Sequence, residues 1–200
     1  MGKHINYSIL TVMLLSGICI AENEDIEARN SIRVSYGRSP GVDKAETSWG
    51  ETLLRGDSDA RLEIWGVRQW KGKNRVEGML GGGFFLVEHN GVFYAGDELE
   101  ISAMGLLLQC GIGVDDGDIS FGLGPYVGLG FGDATAGDSG GDGFYALVGV
   151  KGSVFVSLID PVELGLEFGG EMFAFDGSFI VANRYEGSGL RVAVVLGFKF

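Results

Sequence analysis

The chain of 200 residues has little that stabilises small exported proteins by covalent means: two cysteines, Cys19 and Cys110, and three prolines. An N-terminal stretch that is expected to be removed takes Cys19 with it, so no internal disulfide can form and stability must come from elsewhere. Positive charge is also scarce, with 15 Lys and Arg against 27 Asp and Glu, which disfavours binding to a phosphodiester backbone and excludes nucleic acid as a natural partner. No apolar run reaches the roughly 20 residues that a membrane-spanning helix needs, and no helical period of convincing length follows Ala21. Phosphate-cradling loops are missing as well: GLGPYVG and GIGVDD both lack the third glycine of GxGxxG, and neither opens a helix. With two histidines in the chain, metal and acid–base chemistry have few residues to draw on.

The N-terminus carries an export pattern. Lys3 and His4 precede an apolar run from Ile9 to Ile20, and the small side chains Cys19 and Ala21 suit cleavage after Ala21. Residues 1–21 are thus expected to be a signal peptide and residues 22–30 a short acidic segment, with a barrel domain over 31–200. A lipid anchor on Cys19 is the competing reading, although Ile18 stands where such a site wants a small residue.

What is abundant is glycine, 36 residues, and much of it alternates with bulky apolar side chains. In SFGLGPYVGLGFG, Phe121, Leu123, Val127, Leu129 and Phe131 share one strand face while Gly122, Gly124, Gly128, Gly130 and Gly132 share the other. The last eleven residues repeat the pattern: Leu190, Val192, Val194, Leu196, Phe198 and Phe200 fall on one face, Arg191 and Lys199 on the other. A strand that is large on one side and nearly bare on the other suits a narrow barrel facing lipid outward. Eight strands are expected, near 31–38, 61–71, 75–87, 99–114, 118–132, 144–157, 161–174 and 189–200, joined by alternately long and short connections. The fold class is therefore an all-β, eight-stranded antiparallel up-and-down transmembrane barrel. The structural rival is a soluble secreted barrel binding an apolar ligand, whose bulky face would point inward.

The inner face keeps a few charges. Glu163, Glu167 and Glu171 alternate with Val162, Leu164, Leu166 and Phe168. If LIDP turns about Ile159, paired residue numbers sum to 318 and Glu167 faces Lys151; if the last two strands pair with a sum of 362, Glu171 faces Arg191 and Glu163 faces Lys199. These six residues form a candidate lumen ladder of structural role, with an ion or proton pathway as the functional alternative. Phe198 and Phe200 make the candidate C-terminal signal for the barrel assembly machinery.

Other motifs are weaker. His89, in EHNG on an expected loop, could join Glu88 and Ser102 in the best triad available, although nothing orders the three. Asp133, Asp138 and Asp142 superficially suggest calcium but lack the closing Glu of an EF-hand. No catalytic, cofactor or metal site is assigned. The long connections are acidic, which would let them bridge to lipopolysaccharide through divalent cations. Tyr36, Trp65, Trp70, Tyr94, Tyr126, Phe144, Tyr145, Phe173 and Tyr185 are candidates for interfacial girdles, with Trp65 also a candidate for the lumen. Pro125 is expected to sit at a bulge between Gly124 and Tyr126.

GPYVGLGFG resembles the PYxGxG strand of small opacity-type outer-membrane proteins, and GFYALVGVKGSVFVSLIDPVELGLEFGGEMF with GLRVAVVLGFKF is similar to their last three strands. The resemblance covers residues 99 to 200 well and the first strands in pattern only. It implies an eight-stranded outer-membrane barrel without a cofactor, often a surface antigen, adhesin or envelope-stabilising protein. Its expected partners are outer-membrane lipid, the assembly machinery and an external surface ligand. A small channel or conduit for apolar molecules is the alternative. Two departures stand out: the first external connection is acidic and lacks a bulky apolar tip, and no peptidoglycan-binding domain is expected after Phe200.

Overall fold

In the computed structural model the described residues are 27–47, 50–53, 55–56, 59–71, 76–93, 98–177 and 183–200. The expected signal peptide and residues 22–26 lie outside them. Among the described residues eleven strands run in chain order: β1 Glu27–Ser39, β2 Lys44–Thr47, β3 Gly50–Leu53, β4 Arg55–Gly56, β5 Asp59–Lys71, β6 Val76–Val92, β7 Glu98–Asp115, β8 Ile119–Ala136, β9 Ser139–Ile159, β10 Val162–Gly177 and β11 Arg184–Lys199. Eight of them (β1 and β5 to β11) pair antiparallel with their sequence neighbours, and β1 pairs with β11 to close the ring. This is the eight-stranded up-and-down transmembrane barrel. β2, β3 and β4 extend one end.

The register fixes the barrel's shape. A ladder row from Tyr36 passes through Leu62, Leu86, Met104, Phe131, Phe144, Asp176 and Arg184, then reaches Glu46, ten residues beyond its start. With strands about 4.8 Å apart and a rise of about 3.3 Å per residue, that shear tilts the strands by about 41° and sets a backbone radius of about 8 Å. Each residue then climbs about 2.5 Å along the axis. On β8 the outward side chains from Phe121 to Phe131 cover about 25 Å, the height of the apolar band of such barrels.

Side-chain direction follows the alternation expected. Leu164, Leu166, Phe168, Val192 and Val194 are all exposed, while Glu163, Glu167 and Arg191 are buried. Gly124, Gly128 and Gly130 face inward and are buried, and Gly132 on the same face is half-buried. A Cβ on Gly105 would stand 2.2 Å from the Leu129 carbonyl oxygen, and one on Gly130 2.2 Å from that of Met104. The two facing glycines let strands β7 and β8 approach closely. Elsewhere inner glycines lie under large side chains: a Cβ on Gly149 would meet Tyr126 at 2.6 Å, and one on Gly143 would meet Phe175 at 2.7 Å. Bare positions on one strand thus make room for rings rooted on its neighbours.

Several sequence expectations are corrected. The strands continue beyond the apolar band, so most of the expected long loops are hairpin: β8 and β9 are joined by Gly137 and Asp138 alone, with Gly137 at φ 57°. β1 starts at Glu27, inside the segment expected to precede the barrel. Past the bilayer a strand needs only its ladder and a wettable face, which Glu88, Asn90, Glu98, Glu100 and Asp133 supply. Pro125 makes no bulge, because Gln109–Tyr126 and Ile112–Leu123 keep one register. Its missing donor interrupts the ladder toward β7 only. Among the candidate girdle rings, Tyr36 and Phe144 point outward, whereas Trp65, Tyr126, Tyr145, Phe173 and Tyr185 are buried inside.

Candidate functional site

Among the described residues, chemistry-bearing side chains converge in the lumen. Odd-numbered residues of β1, β5, β10 and β11 point into it, so charges from non-adjacent strands meet across a space of about 8 Å radius. At mid-height Glu63, Glu167 and Glu171 face Arg61, Lys151 and Arg191, three of each sign. Glu63 lies 2.6 Å from Arg61 and 2.7 Å from Arg191, and accepts a hydrogen bond from Ser35 Oγ. Trp65 Nε1 also donates to it. Glu167 is held 3.0 Å from Lys151 and 3.0 Å from Arg191. Glu171 is bound by Arg61 and accepts from Tyr126 Oη and Ser39 Oγ. Lys151 Nζ sits 4.0 Å from the Trp65 ring centroid, where the π face adds to its stabilisation.

Nearer the short-turn end Glu163 lies 2.9 Å from Arg33 and 3.2 Å from Lys199. Above the charge cluster, His89 Nδ1 is 2.8 Å from Asp59 and its Nε2 is 2.8 Å from Tyr145 Oη. A carboxylate can only accept, so Nδ1 donates to Asp59. The imidazole stacks on Phe173 at 3.9 Å between centroids. Higher still the lumen is apolar, filled by Val42, Ala45, Phe93, Leu99, Ile101, Phe175 and Tyr185. Val42 comes from the connection after β1 and Ala45 from β2, both folded into the mouth.

The sequence ladder is thus placed with a different register. β9 and β10 pair with numbers summing to 320, as in Glu167–Ser153, and β10 and β11 with a sum of 360, as in Gly169–Arg191. Both slips are by two residues, which keeps every side chain inward. Lys151 still reaches Glu167 diagonally, and Lys199 reaches Glu163. Glu171 goes instead to Arg61, and Arg191 to Glu63 and Glu167. Arg33, Arg61 and Glu63 escaped the sequence reading although their parity was visible, opposite Ile32, Leu62 and Ile64. Pairing arithmetic along the sequence joins only neighbouring strands, and these residues also act across the bore.

The triad of His89, Glu88 and Ser102 does not assemble. Glu88 and Ser102 are ladder partners on the outer face, and His89, on strand β6 rather than a loop, points into the lumen. Asp133 and Asp142 face each other on β8 and β9, and Asp138 occupies the turn. Among the described residues no cluster of three or more His, Cys, Asp or Glu is arranged to hold a metal ion. Phe198 and Phe200 are exposed at the short-turn end, where Phe200 and Asn30 exchange backbone hydrogen bonds of 2.9 and 3.3 Å.

No protein-family model and no curated protein matches the chain. Among solved structures it is similar to Neisserial surface protein A, at 14% identity and a TM-score of 0.44, over 87% of this chain and 99% of that one. It is similar to Ail, the attachment invasion locus protein of Yersinia pestis, at 12% and 0.46, over 87% and 99%. It also matches the outer membrane protease OmpT of Escherichia coli at 8% and 0.38, over 90% and 99%. The likeness is one of fold.

Proposed function

We propose that this protein is a non-enzymatic integral outer-membrane barrel that acts through the surface it displays outside the bilayer, in envelope structure, surface interaction or adhesion. One observation carries the reading: charges are enclosed and hydrocarbon side chains exposed, the reverse of a soluble barrel. The lumen offers support of its own. A balanced ion-pair cluster, an aromatic layer and an apolar cap fill it in succession, which suits a scaffold better than a channel. His89 is sealed between Asp59, Tyr145 and Phe173, which favours a packing role over catalysis. The six ladder residues serve the fold in this reading, and Phe198 and Phe200 serve recognition by the assembly machinery.

The strands that project beyond the band on the β6–β9 side present Glu88, Glu98, Glu100, Asp133 and Asp142 outward. Such a surface attracts cationic partners or divalent cations that bridge to lipopolysaccharide.

Refolding the protein into phosphatidylcholine vesicles tests the whole reading. Heat-modifiable gel migration, membrane fractionation and no efflux of a small entrapped ion are the expected results. Recovery as a soluble periplasmic protein would overturn membrane insertion. Steady single-channel conductance would favour the small-channel alternative.

A further inference from the structure

Two hollows on the outer wall run into one another. One of about 420 Å³ and one of about 610 Å³ share Met104, Phe131 and Gly132, and together they make a furrow across strands β5 to β9. Its lower lip is the ladder row that passes from Tyr36 to Phe144, and its upper lip is the next outward row, Ala60, Glu88, Ser102, Asp133 and Asp142. The short side chains of Ala60 and Ser102 keep it open. Rows two residues apart are separated by about 6.6 Å, and the four ladder steps from Leu62 to Phe144 give a length of about 19 Å. That width admits one hydrocarbon chain and excludes a helix, which is about 10 Å across. The furrow also climbs, because each ladder step is worth about 3.1 Å of height at this tilt. Its β5 end lies within the apolar band, whereas Asp133 and Asp142 stand about 5 and 8 Å above Phe131, which marks the upper edge.

The upper end of the furrow holds charges without a counterpart. Asp133 and Asp142 are ladder partners on the outer face, so their Cβ atoms lie about 5 Å apart, and like charges directly opposite one another destabilise a sheet. Among the described residues Lys151 is the sole Lys or Arg of β6 to β9, and it points into the lumen, so no cation of this wall faces either carboxylate. One outward position lower on the same two strands, the exposed rings of Phe131 and Phe144 meet edge to face with centroids 5.6 Å apart. Carboxylates and aromatic rings both hold an organic ammonium, the first through charge-assisted hydrogen bonds and the second through the π face. An anionic headgroup would meet repulsion at the same place.

We propose that this furrow binds one lipid of the outer leaflet whose headgroup carries a free ammonium. An acyl chain lies along the row from Leu62 to Phe131, and the ammonium sits between Asp133 and Asp142 over the rings of Phe131 and Phe144. Seated there it neutralises the opposed carboxylates, which accounts for a cross-strand pair that the sheet alone would disfavour. The site deepens the reading of an acidic displayed surface and rests on the membrane placement proposed above.

The test is native mass spectrometry of the full chain released from detergent micelles, with phosphatidylethanolamine or its N-acetyl derivative of the same acyl chains added. The wild type is expected to retain the free amine about tenfold better, and Asp133→Asn combined with Asp142→Asn to lose that preference. Phe144→Leu keeps the apolar lip but removes a π face, and is expected to lose about threefold. Glu98→Gln, on the same outer wall four residues beyond Ser102 and outside the furrow, is expected to behave as wild type. Equal retention by the double aspartate variant, equal retention of the N-acetyl lipid, or an equal loss in Glu98→Gln would each overturn the site. Retention that appears only with added calcium would assign the carboxylates to a metal and overturn it as well. Neutralising two opposed exposed carboxylates should not impair folding, and heat-modifiable migration in vesicles reads that separately. A wild type that fails to insert would refute the membrane placement itself.

Discussion

Glu63 is the residue whose removal should cost most. It is fully buried and touches Arg61 at 2.6 Å, Arg191 at 2.7 Å and Lys151 at 3.7 Å, besides accepting from Ser35 and Trp65. The mid-lumen cluster balances three carboxylates against three cations, so Glu63→Gln leaves one positive charge uncompensated among groups already stripped of water. Breaking a buried pair from one side costs about 3–5 kcal/mol, a shift of roughly two to three and a half decades in the folded fraction. Urea titration in phosphatidylcholine vesicles, with gel migration counting folded molecules at equilibrium, reads this as a lower midpoint at unchanged slope. The decisive comparison is Glu63→Gln combined with Arg191→Gln. That pair restores balance, leaving Arg61 and Lys151 against Glu167 and Glu171, so its cost should fall below the sum of the single variants by more than about 1.5 kcal/mol. A Glu63→Gln loss under about 1 kcal/mol, or strict additivity in the double variant, would refute charge balance as what stabilises this lumen.

Three further outcomes follow from the geometry. Gly149→Val pushes a side chain into Tyr126, whose ring and hydroxyl would lie 2.6 Å from the new Cβ, and should cost about 1–3 kcal/mol in the same titration; a neutral result would mean the ring moves freely. His89→Phe keeps the stack on Phe173 but strands the Asp59 carboxylate, so it should destabilise more than Asp59→Asn combined with His89→Phe, and any loss of lipid turnover in His89→Phe would count against the non-enzymatic reading. Replacing Phe200 by Ser should lower the yield of inserted protein in cells while leaving the urea midpoint of the inserted fraction within about 0.5 kcal/mol, since the exposed ring packs on nothing inside the barrel.

The strand faces were legible because period-two alternation does not depend on knowing any partner: Phe121 to Phe131 and Leu190 to Phe198 declare two faces by themselves. Register was harder. The turn at LIDP is centred on Asp160 rather than Ile159, and the terminal pair Val162–Ile159 precedes a shift, so turn geometry moved the ladder by two residues without changing any face. His89 was misplaced for a different reason. Apolar alternation fades after Val87, which ends the expected strand there, yet the ladder runs on to Val92 with a polar outer face that only water requires. Trp65, Tyr126 and Tyr145 resembled girdle residues because an amphipathic ring suits both a headgroup layer and a polar lumen, and side-chain parity alone separates the two.

That parity also explains why so charged a core coexists with so apolar a wall. A barrel about 8 Å in radius cannot hold bulky side chains from eight strands at one level, so glycines on β7, β8 and β9 vacate space that Tyr126, Trp65 and the long arms of Arg61, Lys151 and Arg191 then occupy. Long cationic side chains can span the bore where leucine could not, and their carboxylate partners sit on β5 and β10, across the lumen from one another. Ion pairs of this kind are weak evidence for added stability but strong constraints on register, because a slip of two residues on β5 would part Arg61 and Glu63 from Glu171 and Arg191 together. The charge cluster is therefore best understood as the device that selects one alignment of strands whose glycine-rich inner faces would otherwise tolerate several.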